Sequence, residues 1–162
     1  MTVALPGDFV PAAVSEPELS RALAAWRSAG GTRAVEEEGL RTLCARGAFR
    51  TLIGHCRTFD LPVHLLIGVS RRAAARGSYR RADLYDHRAS LLPYAELFRD
   101  FPGCTFCVSA LPGGQEHELA DVSRVFPNVM ALGHGGDADT APASLAAAIR
   151  SRLQAVPQTK QI

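Results

Sequence analysis

His134 and Arg71 are the residues in this chain whose types and positions best suit chemistry. His134 closes the apolar run Val129-Met130-Ala131-Leu132-Gly133-His134, so it is expected at the C-terminal end of a strand. An imidazole there titrates at about pH 6.5 and suits proton transfer near neutrality. Asp137 and Asp139 follow it in a glycine-loosened loop, and His134 with Asp137 is the candidate catalytic pair. Loop structuring is the alternative use of both. A single His with loop carboxylates falls short of the roughly three protein ligands of a catalytic zinc, so no metal ligand is assigned. Arg71, Arg72 and Arg88 flank a long polar loop that starts at Ser70. A guanidinium fork pairs bidentately with a carboxylate. Arg71, Arg88 and the adjacent His87 are therefore the candidate substrate-binding set. Asp83, Asp86 and His87 in the same segment serve equally well to tie the loop down by ion pairing.

The remaining reactive side chains favour structural roles. Cys104-Thr105-Phe106-Cys107 has the C-x-x-C spacing of zinc and redox sites. It lies in a strand-like run, however, where residues three apart point to opposite faces, and no second such pair exists. His64 sits inside an apolar strand and reads as a core histidine with a satisfied ring. His55 falls on a helix and His117 near a helix start, as surface or capping residues. Gly113-Gly114, at a strand-to-helix turn, offers backbone N–H groups to an anion or simply makes the turn.

The elements that must position these groups alternate. Residues 1–15 read as an extended arm. Ser15 before Glu16-Pro17-Glu18 is a helix start, with a cap-competent hydroxyl, an early proline and acids in the first turn. A helical segment spans 16–59, ended and restarted at Gly30-Gly31, with Gly39 and Gly47 as further breaks. Leu61 to Val69 is a nearly continuous apolar run, the pattern of a parallel strand buried on both faces. Helices are expected over Ser90–Asp100, Gln115–Phe126 and Ala143–Val156. Strands are expected over Cys104–Ala110 and Val129–His134, and a further one begins at Lys160-Gln161-Ile162. Strand–helix alternation of this kind predicts right-handed βαβ units and a parallel sheet. The fold class expected is therefore α/β, a partial (βα) TIM-barrel-like sheet of three to four strands over 60–162, within a single domain.

Size and charge set the frame. The chain has 162 residues, whereas a full (βα)8 barrel typically needs ~250. Its 18 basic and 16 acidic residues give a net charge of +2, which makes no case for nucleic-acid binding by bulk charge. No apolar stretch reaches the ~20 residues of a membrane span. No secretory segment precedes the four cysteines, so reduced thiols and a cytoplasmic setting are expected. A short parallel sheet leaves its outer strands unpaired, so flanking helices or a second copy of the chain should cover them.

Four segments in fixed order resemble the C-terminal part of amidohydrolase-superfamily proteins of the uronate (glucuronate) isomerase type. They are Leu61-Pro62-Val63-His64-Leu65-Leu66-Ile67-Gly68-Val69 followed by Arg71; Asp83-Leu84-Tyr85-Asp86-His87-Arg88 leading to Ser90-Leu91; Phe126-Pro127-Asn128-Val129 running into Gly133-His134; and Arg152 to Ile162. The resemblance implies a (βα)8 barrel scaffold and a divalent metal, zinc or manganese. It also implies aldose–ketose isomerisation of a sugar acid, whose carboxylate Arg71 or Arg88 would hold. Full members carry an H-x-H pair after the first strand and an aspartate after the last, and the five histidines here include no H-x-H. Relatives place two tryptophans where this chain has Gly135-Gly136, which opens that side of a pocket. The expectation is a truncated or degenerate member that is catalytically incomplete and binds a small sugar acid. An active metal-dependent isomerase or hydrolase is one alternative; a self-associating partial barrel with a structural role is the other.

Overall fold

Parallel strands buried under helices must be apolar on at least the covered face, and Val63-His64-Leu65-Leu66-Ile67 meets that demand with every second residue. In the computed structural model, which describes residues 1–28, 38–70, 84–86, 89–109, 115–132 and 142–161, this segment is the second strand of the chain. The strands are β1 (Thr2–Leu5), β2 (Val63–Ile67), β3 (Val69–Ser70), β4 (Leu84–Tyr85), β5 (Phe106–Ser109) and β6 (Val129–Leu132). The helices are α1 (Glu16–Ser28), α2 (Glu38–Thr58), α3 (Ala95–Asp100), α4 (Glu116–Val125) and α5 (Pro142–Ala155). The main sheet runs β1-β2-β5-β6, every pairing parallel, and β3 and β4 form a small antiparallel ribbon. The architecture is α/β, a four-stranded parallel sheet with flanking helices of partial TIM-barrel type. Among the described residues no helix is long and apolar enough to cross a membrane.

Register fixes two faces. Val63, Leu65 and Ile67 of β2 align with Phe106 and Val108 of β5 and with Val129 and Ala131 of β6, all at most 1% exposed. On this side lie Ile53 of α2, Leu97 and Phe98 of α3, and Leu119 and Val122 of α4. Phe98 is the hub, its ring centroid 5.1 Å from Phe106, 5.5 Å from Phe126 and 6.4 Å from Tyr94. Burying one such ring contributes about 1.5–3 kcal/mol. The other face carries His64 and Leu66, Cys107, and Met130 and Leu132, all half-buried.

The helix ends follow local chemistry. Ser15 and Glu18 form a capping box: Ser15 Oγ donates to Glu18 Oε2 at 2.5 Å, while Glu18 N donates back to Ser15 Oγ at 3.4 Å. These bonds to Ser15 hold the Glu18 carboxyl below its ordinary range. α2 ends where Asp60 takes a positive φ of 51° and Leu61 N reaches back to Cys56 O at 2.8 Å. Lys160 Nζ donates to the carbonyls of Ser123 and Phe126 and so closes the C-terminus of α4.

Three expectations change. The N-terminal arm contributes a strand, because Thr2-Val3-Ala4-Leu5 lies along β2 in parallel, with Thr2 opposite His64 and Leu5 opposite Ile67. Gly47 does not break α2. It is where α1 crosses, since a Cβ at Gly47 would lie 2.3 Å from Leu19 Cδ1. The last predicted strand is reduced to a single parallel bridge between Gln161 and Ala131, because residues 158–160 wind into a 3-10 turn.

Candidate functional site

Chemistry in parallel α/β sheets gathers beyond the C-terminal ends of the strands. Here those ends are Leu5, Ile67, Ser109 and Leu132. The exit of β2 is built around Gly68, whose φ of +84° is one that side chains rarely adopt and whose missing side chain admits Ala89; a Cβ there would lie 2.9 Å from Ala89 Cβ. Gly68 N donates to Leu5 O at 2.9 Å, and Asp86 N donates to Gly68 O at 2.9 Å. Gly7, just past β1, abuts the same segment, since a Cβ on it would meet Asp86 Cβ at 2.9 Å. Gln115, buried ahead of α4, donates from Nε2 to Ala89 O. Glu118 accepts from Ser90 Oγ at 2.6 Å and from Leu92 N at 3.2 Å, which places a carboxylate at the start of the helical turn leading into α3. Next to Gln115, Glu116 of α4 forms an ion pair with Arg152 of α5 at 3.6 Å.

The sequence-predicted residues Arg71, His87, Arg88, His134 and Asp137 lie outside the described residues, as do Arg72, Asp83, Asp139 and Gly113-Gly114. What is fixed is the framework that delivers them. Arg71 follows Ser70, the last residue of β3, while His87 and Arg88 fall between Asp86 and Ala89, whose backbones hydrogen-bond to each other at 3.0 Å. His134 comes two positions after Leu132, the end of β6. β5 separates β2 from β6, so these exits stand two strand spacings apart, about 10 Å.

One polar pair escaped sequence reasoning. His64 of β2 and Ser109 of β5 meet on the face turned away from the helices, Nε2 2.8 Å from Oγ. His64 is half-buried there instead of lying in the core. Burial, and then the Met1 ammonium, lower its pKa from the usual 6.5. That ammonium donates to Pro62 O at 2.7 Å. The polar residue in the alternate slot of Val63–Ile67 was the available signal; its partner 45 residues away was not readable without the register.

The thiols carry no comparable promise. All four cysteines are free. Cys104 is buried before β5, and desolvation, reinforced by the neighbouring Cys56, pushes its pKa up to about 11. Cys107 is half-buried on the opposite side, and burial raises it as well. Protonated thiols are poor nucleophiles and poor metal ligands. Among the described residues no group of three or more His, Cys, Asp or Glu converges as a metal site.

No protein-family model matches the chain, and no curated protein matches it. Among solved structures, a uronate isomerase from Bacillus halodurans superposes with a TM-score of 0.65 at 22% identity. The match covers all of this chain and 31% of that one, so the chain spans about a third of the isomerase's length. At this identity the likeness establishes the shared fold.

Proposed function

We propose that this chain is a uronate-isomerase-like scaffold that binds a small sugar acid at the C-terminal mouth of its sheet without performing the isomerase's full catalysis. One observation carries the reading: a four-stranded parallel sheet in simple sequential order that superposes on part of a uronate isomerase over its whole length. Arg71 and Arg88 are its carboxylate-binding groups, His87 is a further substrate-binding residue, and His134 with Asp137 is its proton-handling pair. The absence of H-x-H among the five histidines supports the incomplete catalysis, and the reading uses no metal. Calorimetric titration with D-glucuronate tests it. The unaltered protein should bind, and Arg71→Ala/Arg88→Ala should bind roughly tenfold or more weakly, the scale of a lost charge-assisted hydrogen bond. Equal affinity in the two proteins would discard the arginine clamp.

A second reading has its own observation. Among the described residues β1 is paired on one side only, and Gln161 adds a single rung beside β6. Open edges of this kind favour association of two copies of the chain. Solution mass decides it, since a monodisperse monomer removes the reading.

A further inference from the structure

A sugar acid bound through its carboxylate still has hydroxyl groups that need partners. His64, half-buried, and Ser109, buried, project from adjacent strands onto the face opposite the helices, and among the described residues their side chains hydrogen-bond to each other, at 2.8 Å. Register places Ala4, Leu66 and Leu132 in the row of Ser109, and Thr2, Cys107 and Met130 in the row of His64. Few polar groups set in an apolar surface is the usual composition of a small-molecule site. Ser109 is also the last residue of β5, at the C-terminal end of the sheet.

The valence of the pair narrows the ligand. A hydroxyl has one donor and two acceptor positions, and a neutral imidazole has one of each. Their mutual bond uses one donor and one acceptor, so the pair retains both kinds. A ligand hydroxyl, itself donor and acceptor, satisfies both; a carboxylate, acceptor only, satisfies one. Burial keeps the imidazole in the neutral form that this requires.

We propose that His64 and Ser109 bind a hydroxyl group of the sugar-acid ligand, a proposal that rests on the function proposed above. The experiment compares the unaltered protein, Ser109→Ala, His64→Gln and Arg71→Ala/Arg88→Ala by calorimetry with D-glucuronate and with neutral D-glucose. Ser109→Ala and His64→Gln should each weaken both sugars roughly tenfold, whereas the arginine variant should lose only the preference for the acid. Unchanged affinity in Ser109→Ala and His64→Gln beside a loss in the arginine variant overturns this inference alone. Failure of the unaltered protein to bind D-glucuronate overturns both readings. A further arm needs no ligand: Ser109→Cys is treated with methyl methanethiosulfonate and the modified peptide is identified by mass. Modification at position 109 shows an accessible face; a protected thiol there shows a closed one and overturns the inference.

Discussion

The two faces of the sheet divide the work of the chain. Against the helices, Val63, Leu65, Phe106, Val108, Val129 and Ala131 are fully buried, uniformly apolar and interlocked with aromatic rings. On the opposite face His64, Leu66, Cys107, Met130 and Leu132 are half-buried, and the buried Ser109 pairs there with His64. The strands are the same, but the surroundings of alternate residues differ completely. Stability is concentrated on the side that can be packed to interior density. The other side is left free to carry groups chosen for reactivity or recognition.

The sharpest way to test that division is to damage the covered face. Phe98→Ala removes the ring shared by Tyr94, Phe106 and Phe126 and should destabilise the fold by about 3–5 kcal/mol in urea unfolding. A loss below about 1 kcal/mol would mean that this face does not carry the core. Gly47→Val probes the helical layer. Its side chain would drive into Leu19, and overpacking of this kind typically destabilises by about 1–3 kcal/mol. Gly54→Ala is the control, because a Cβ there meets nothing within 4 Å. It should be neutral or stabilising by up to about 1 kcal/mol, and parity of the two variants would deny a close helix crossing at Gly47.

Changes on the opposite face should be milder. Ser109→Ala should alter stability by no more than about 1.5 kcal/mol, the net worth of one hydrogen bond. A larger loss in thermal unfolding would make that face structural after all. The smallest expected effect is a pH dependence. The folded pKa of His64 lies below its ordinary value of 6.5, so the unfolded chain binds the proton more readily. Its contribution to stability is then complete above about pH 6.5 and declines as pH falls through the folded value. Between about pH 7.5 and pH 5.5 the unaltered protein should lose more in melting temperature than His64→Gln. Parallel curves for the two would show that His64 feels no burial.

How legible the molecule was follows the same division. The continuous apolar run of Val63–Ile67, the proline and glycine punctuation around β5, and the Ser15–Glu18 cap all signal locally, and the parallel sheet could be read from them. β1 could not, because Thr2-Val3-Ala4-Leu5 is too short to show a period and its partner lies far along the chain. Gly47 read as a break because a glycine that admits a neighbouring helix looks, in sequence, like one that ends its own. Arg71, His87, Arg88, His134 and Asp137 were picked out by residue type and by their place after strands, and their mutual geometry lies outside the described residues. The His64–Ser109 pair depends on strand register, which neither local segment encodes.

The seat of β1 has a kinetic consequence. Thr2–Leu5 comes first in sequence, yet its neighbour in the sheet is Val63–Ile67, on the far side of both N-terminal helices. The other main-sheet pairs, β2 with β5 and β5 with β6, join strands that follow one another through shorter connections. Closing the longest connection carries the largest entropic toll, which grows only logarithmically with its length. Thr2–Leu5 should therefore be the last strand to dock during refolding, and its amides the first in the sheet to exchange with heavy water.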